Sequence, residues 1–206
     1  LERFPTPEEL LAAGAAAWRT VCPLAPSEER RLLDAAQASV AADLRKLSEL
    51  GAHIITIRDL HYPALLRQIY GPPPVLYVRG ELREQDHRAV AIVGTRRASA
   101  YGREVTRQLV GDLVRSHITI VSGLARGIDT AAHIGALDGG GRTLAVLGSG
   151  IHVIHPRENS ALADAIANGR GAVLSEFHPN TPPQGRNLMV RDRVISGLAR
   201  GVIVAE

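Results

Sequence analysis

Five short apolar runs punctuate the second half of the chain, and each closes on small or polar residues. They are Ala89–Val93 before Gly-Thr-Arg-Arg, Ile118–Val121 before Ser-Gly-Leu-Ala-Arg-Gly, Thr143–Leu147 before Gly-Ser-Gly, Ala172–Leu174 before Ser-Glu, and Val202–Ala205 before Glu206. Runs that are apolar throughout, rather than alternating, predict strands buried on both faces. They recur at intervals of roughly 20–35 residues, the scale of βαβ units. Helical patterns fill the gaps. Gly102–Ser116 places Val105, Leu109, Leu113 and Val114 on one face; Thr130–Leu137 follows the second strand; Asn159–Asn168 is stopped by Gly169, and Asn187–Arg200 by Gly201. The pattern predicts an α/β domain over residues 88–206, doubly wound around a mainly parallel sheet. In such sheets ligands bind beyond the carboxyl ends of the strands.

The first half reads differently. Residues 1–50 predict short helices. One starts at Thr6-Pro7-Glu8-Glu9 with Thr6 as N-cap. A longer one starts at Ser27-Glu28-Glu29, carries Leu32, Leu33, Ala36, Val40, Leu44 and Leu47 at near-helical spacing, and stops at Gly51. Such a module is too small to be stable without a surface to pack on. Residues 51–87 form a connector with two short strands, His53–Ile57 and Val75–Val78, bent by Tyr62-Pro63 and Pro72-Pro73-Pro74. A domain boundary is expected near Arg88.

Composition narrows the class. No apolar run approaches the length of a membrane span, and no signal-peptide pattern opens the chain. The single Cys22 excludes an internal disulfide and a Cys-based zinc cluster, and points to a reducing cytoplasm. The absence of Met at position 1 suggests a trimmed chain. Lys46 is the only lysine among 24 basic residues, so the positive charge is carried by arginine, which grips phosphate as a fork. Genomic base composition also favours arginine and alanine. Residues 1–87 carry a net charge of −2 and residues 88–206 one of +5, so the positive field sits with the glycine-bearing turns.

Three of those turns are expected to converge: Gly94-Thr95-Arg96-Arg97, Ser122–Gly127 and Gly148-Ser149-Gly150. Each offers backbone N–H groups and a hydroxyl, and the first two offer guanidinium groups. That donor set suits an anionic oxygen, most naturally a phosphate. No G-x-x-x-x-G-K-[ST] and no complete G-x-G-x-x-G follows the first strand, which argues against a P-loop and a dinucleotide site. Ser122 and Ser149 lack His and Asp partners for nucleophilic catalysis. His133 lies one turn after Asp129 and is expected to pair with it, with Asp129 as N-cap. His152 and His155 lack the partners of a metal site. Arg191 and Arg193 fall near the start of the last predicted helix, with Asp192 between them, and would reinforce a phosphate site. Aromatic residues make up 3% of the chain, and only Tyr101 and Phe177 fall in the second region. Stacking of more than one or two bases is therefore not expected.

The ordered motifs PPPVLYVRG (72–80), AIVGTRRASAYG (91–102), VSGLARGIDTAAH (121–133), TLAVLGSGIHVIHP (143–156), LSE (174–176) and RDRVISGLA (191–199) resemble the DNA-processing protein A family, DprA or Smf. The resemblance runs from about residue 45 to the end, and the N-terminal helices look like the family's small SAM/HhH-like extension. It implies an extended Rossmann-like fold, with residues 51–87 forming the extension of the sheet. It further implies a non-catalytic, cytoplasmic, homodimeric protein of natural transformation that needs no cofactor. Such a protein binds and protects single-stranded DNA and helps load the RecA recombinase, with single-strand-binding protein as a further partner. A C-terminal winged-helix module is often present in the family and is not expected within these residues. Carried over by motif, the DNA pocket falls on Gly94, Thr95, Arg96 and Arg97, on Ser122, Gly123, Arg126 and Gly127, and on Gly148, Ser149 and Gly150. Arg191 and Arg193 match a later basic pair. Tyr101, His155 and Phe177 are the residues expected to stack on a base. The chain departs from the family at Asp192, where Asn is usual, at His155, where Tyr is usual, and at Leu188-Met189, where Phe-Pro is usual. Asp192 sets a negative charge beside Arg193. The alternative is a phosphoribohydrolase-like nucleotide enzyme. The Pro-Gly-Gly-x-Gly-Thr loop that it requires does not occur, and Glu176 and Glu206 are the nearest candidate acids. A third reading is a partner-binding scaffold whose glycine turns hold nothing.

Overall fold

A computed structural model describes residues 6–37 and 41–206. The chain divides into two compact units, Leu1–Arg45 and Lys46–Glu206. In the first, helix α1 (Pro7–Arg19) starts as expected: Thr6 Oγ1 accepts the Glu9 N–H at 3.2 Å. Helix α2 (Pro26–Gln37) is tied to α1 by a two-pronged Arg19–Glu29 ion pair at 2.5 and 2.7 Å. The long helix predicted from Ser27 is instead two described helices, α2 and α3 (Ala41–Glu49). Val40 lies outside the described residues.

Among the described residues of the second unit, seven strands make one sheet. They are β1 (Ala52–Thr56), β2 (Val75–Gly80), β3 (Ala89–Gly94), β4 (Thr119–Ser122), β5 (Thr143–Val146), β6 (Gly171–Ser175) and β7 (Val202–Ala205), in the order β1-β2-β6-β5-β4-β3-β7. The five predicted strands run parallel, and β2 pairs antiparallel with both β6 and β1. This is the mainly parallel α/β sheet that the apolar runs require. Alternation along the strands supplies two buried faces. Ala91, Val121, Leu144, Val146, Ala172 and Leu174 pack on helix α7 (Gly185–Gly197) through Val194, Ile195 and Leu198. On the opposite face, Ile92 and Ile120 pack on helices α4 (Ala100–Arg115) and α5 (Ile128–Asp138), while Ala145 and Val173 pack on helix α6 (Ser160–Ala165). Helices on both faces leave only the strand ends open to a ligand.

Residues 51–87 contribute β1 and β2 to the sheet as its extension, and the two compact units divide between Arg45 and Lys46. A buried charge cluster fastens that segment down. The Arg142 guanidinium donates to both Asp86 oxygens at 3.0 and 2.9 Å and to Glu81 O at 2.8 Å. Asp86 also accepts from Thr119 Oγ1 at 2.9 Å and from the Arg83 N–H at 2.8 Å. The buried face of α4 is Gly102, Thr106, Val110 and Val114; of the predicted stripe Val114 lies on it, Leu109 and Leu113 are half-buried against the same core, and Val105 is exposed. Gly135 of α5 lies against Arg107 and Val110, so close helix approach selects the ridge with the smaller side chains. Helix α6 ends at Ala165, ahead of a wider turn through Ile166–Arg170. Helix α7 begins at Gly185, which puts Arg191 in its second turn rather than at its start.

Removing one partner of a buried ion pair leaves the other charge stranded, at a cost of about 3–5 kcal/mol. Asp86→Ala is therefore expected to lower the unfolding free energy by about that amount in urea titration. An unchanged midpoint would show that the cluster does not anchor the connector.

Candidate nucleic-acid interface

The loop between β4 and α5, Gly123–Gly127, is clamped from every side. Asp129, in the first turn of α5, accepts the N–H groups of Gly123 at 3.1 Å and Ala125 at 3.3 Å. Arg191, almost fully buried, reaches across from α7 and donates to Gly123 O at 2.7 Å and Val146 O at 2.5 Å. Its guanidinium fills the space that a Cβ on residue 123 would occupy, so only glycine fits there. Asn159 Nδ2 donates to Leu124 O at 2.8 Å and holds Leu124 at a φ of 58°, a left-handed conformation that costs a side-chain-bearing residue of order 1–3 kcal/mol. Gly127, at φ 80°, lets the loop pass against Thr95 O and the Arg96 backbone. Burial pushes the Asp129 carboxyl above its ordinary range, and Arg191 with the two amides pulls it back.

These contacts revise the expected donor set. The amides of Gly123 and Ala125 serve Asp129 rather than an external anion. The Ser122 hydroxyl donates to Ile92 O at 2.6 Å, and that of Ser149 to Val153 O at 2.6 Å. The Gly148–Gly150 turn is buried, with Leu188 against Gly148 and the carbonyls of His178 and Pro179 against Gly150. Asp129 is not the N-cap of α5, a position held by Gly127, and it does not pair with His133. The His133 Nδ1–H donates to Thr143 Oγ1 at 2.7 Å, because that hydroxyl itself donates to Ile120 O. Burial, and then the nearby Arg191 charge, lower the His133 pKa to about 3. Asp192 pairs with Arg191 at 3.0 Å, whereas Arg193 pairs with Glu176, so the acid expected to mask Arg193 sits on its neighbour. Burial raises the Glu176 carboxyl and Arg193 lowers it.

What remains open at the strand tips is a run of three adjoining clefts, all lined by Arg96. The first, about 240 Å³, lies between Gly94, Ala125 and α7, where Arg191 and Asp192 form one wall. The second, about 140 Å³, lies between Gly123, Arg126, His155, Pro156 and Leu188. The third, about 250 Å³, is bordered by Arg96, Arg97, Arg103, Arg107 and Arg126, with Glu158 on its rim and Gly127 and Ala131 in its floor. Arg96, Arg97, Arg103, Arg107 and Arg126 are all exposed. Among the described residues Glu158 is the one acid lining the third cleft, and it grips Arg126 with two bonds of 2.6 and 2.7 Å. That fork raises the Arg126 pKa and lowers the Glu158 carboxyl. Of the expected site residues, Gly94, Arg96, Arg97, Gly123, Arg126, Gly127, Arg191 and His155 line these clefts. Thr95, Ser122, Gly148, Ser149, Gly150, Arg193, Tyr101 and Phe177 do not. Tyr101 is 79% exposed nearby at the start of α4. Sequence reasoning missed Arg103, Arg107 and Glu158. The arginine pair was readable as an i, i+4 repeat on the helix that follows Gly-Thr-Arg-Arg.

A doubly wound sheet whose strand tips open on an arginine-lined groove is an architecture for holding phosphate-bearing ligands. The family model for DNA recombination-mediator protein A matches residues 53–206, and the chain belongs to that family. It is 42% identical over 159 residues to DNA processing protein DprA of Bacillus subtilis, covering 77% of this chain and 53% of that one. It is 44% identical over 151 residues to that of Streptococcus pneumoniae, covering 73% and 53%. The chain thus spans about half the length of these curated relatives. The X-ray structure of DNA processing protein A from S. pneumoniae superposes with a TM-score of 0.76 at 32% identity, over 98% of this chain and 78% of that one. The structure of the Helicobacter pylori protein, which describes a single-stranded DNA binding mode, superposes with a TM-score of 0.67 at 28% identity, over 76% and 70%. Among the described residues, no three His, Cys, Asp or Glu side chains are grouped to hold a metal ion, and no helix is long and apolar enough to cross a membrane.

His133 makes stability depend on pH. Its folded pKa of about 3 lies below the ordinary 6.5, so between those values the unfolded chain binds a proton that the folded chain refuses. Its contribution is complete above 6.5 and is lost as the pH falls toward 3, with about 2 kcal/mol gone by roughly pH 5. The stability gap between the parent and His133→Asn should narrow by that amount on acidification. A gap independent of pH would show that His133 titrates alike in both states.

Proposed function

We propose that the chain binds single-stranded DNA along the groove at the strand tips and acts as a recombination mediator rather than an enzyme. The observation that carries this reading is the continuity of three clefts through one exposed arginine, Arg96, with Arg97 and Arg126 beside it. Fork-shaped cations at a surface groove attract a phosphate backbone whatever its base sequence. With the loop amides and serine hydroxyls engaged inside the protein, the guanidinium groups supply the contacts. His155 at the second cleft and the exposed Tyr101 are the side chains placed to meet a base, and Phe177, half-buried beyond the groove, is the least accessible of the expected three. The candidate acids support binding over catalysis: Glu176 is held by Arg193, and Glu206 accepts from the Ser99 N–H and hydroxyl and lines none of the three clefts.

Membership of the recombination-mediator family supports the finer role. In that role the protein, as a cytoplasmic homodimer, protects a DNA strand, contends with single-strand-binding protein and helps RecA to load during natural transformation. The Gly148–Gly150 turn then acts from behind the groove, and the buried Arg191, in the wall of the first cleft, shapes it rather than gripping DNA. Strand exchange by RecA on DNA coated with single-strand-binding protein tests this role. No stimulation by the protein would remove it.

Anisotropy of a labelled oligo-dT across a salt series reads the groove directly. Arg96→Ala and Arg126→Ala should each weaken binding and reduce the salt slope by about 0.7, the value of one single-strand phosphate contact. Glu158→Gln, which frees Arg126 from its carboxylate, should tighten binding. Arginine variants that hold oligo-dT as tightly as the parent would place the DNA elsewhere.

A further inference from the structure

We infer that helix α4 carries a second phosphate track, Arg103 and Arg107, which takes the DNA strand away from the tips and along the α4–α5 face. This rests on the binding reading above and extends it to residues outside the expected pocket.

Three observations support the track. The third cleft is bordered by five arginines, and the one acid on its rim, Glu158, is already held by Arg126. Among the described residues no carboxylate pairs with Arg103 or Arg107, and both are exposed. The remaining acid on this stretch of helix, Glu104, does not line the cleft and is held by Gln108 at 3.0 Å.

Geometry aligns the pair. Four residues of helix rise about 6 Å, so Arg103 and Arg107 stand one above the other, at a spacing comparable to that of successive phosphates in an extended strand. Arg103 Nη1 donates to Ala98 O at 2.5 Å, which holds its guanidinium beside the Thr95–Ser99 turn while the residue stays exposed. Arg107 sits where α4 comes closest to α5, with its Cα only 3.2 Å from where a Cβ on Gly135 would lie. Gly127, Thr130, Ala131 and Ile134 line the cleft on its α5 side, so the strand would lie between a row of guanidinium groups and a surface without charge. A ligand confined to the strand tips would leave these two cations unused. A chain of phosphates passing Arg96 and Arg97 would meet them next. The chemistry selects a polyanion longer than one or two nucleotides, not a mononucleotide.

Length dependence tests this. The double variant Arg103→Ala/Arg107→Ala is compared with the parent on a short oligo-dT that fills only the strand tips and on a longer one. The salt slope for the longer oligonucleotide is expected to fall by about 1.4, two contacts at roughly 0.7 each, with a clearly smaller change for the short one. Arg103→Lys/Arg107→Lys should restore most of the slope, because the charge is kept while the Ala98 contact geometry is changed. Equal slopes for parent and alanine variant at both lengths, in a protein whose Arg96→Ala variant does lose affinity, would overturn the track alone. If Arg96→Ala also binds normally, the groove itself is misassigned.

Discussion

A guanidinium group sealed inside the protein holds the tips of two neighbouring strands together. Arg191 leaves α7, crosses beneath the loop after β4 and donates to carbonyls at the ends of β4 and β5. Taking a charge out of water costs several kcal/mol unless acceptors surround it. Here two carbonyl oxygens and Asp192 do so directly, and the Asp129 carboxylate adds attraction. Without that contact, Gly123 would face an unfilled gap and its carbonyl an apolar wall. The left-handed Leu124 would lose the frame that enforces its conformation. The groove is firm because its underside is a network of charged groups, each with partners.

This arrangement divides the work between backbone and side chains. In many phosphate sites the loop amides face the anion. Here an internal carboxylate has taken them, and the loop serves as a rigid bracket that aims Arg126 outward. Attraction at the surface then depends on long, solvated side chains, which respond strongly to ionic strength and weakly to base sequence.

Much of the fold was legible because its signals are local. Each parallel strand is an apolar run a few residues long that closes on glycine or serine, and the paired glycines of the tips mark where helices must pass closely. The β1 and β2 strands were also visible, and their place as an extension of the sheet came from the family resemblance; the buried pair between Asp86 and Arg142, 56 residues apart, was not legible. On α4 the stripe read from hydrophobicity holds at Leu109, Leu113 and Val114, but the innermost ridge also runs through Thr106 and Val110, the latter set by close packing against Gly135. Arg191 was legible as a basic residue of the site, but not as a buried one. Whether an arginine faces solvent or fills the space beside a glycine depends on tertiary packing, and no sequence spacing encodes it. Asp129 was legible as an acceptor of backbone amides at the helix start, but the amides it takes belong to the loop before it rather than to α5.

The groove's cations are all guanidinium groups, and the chain's one lysine, Lys46, lies outside the clefts. A guanidinium keeps its proton at any pH at which the protein stays folded, and it has no primary amine to acylate. Acetylation, the usual means of erasing positive charge from a DNA-binding surface, therefore has no target there. For a polyanion bound as proposed, what competes for the arginines decides the grip, and one such competitor, Glu158, is part of the protein itself.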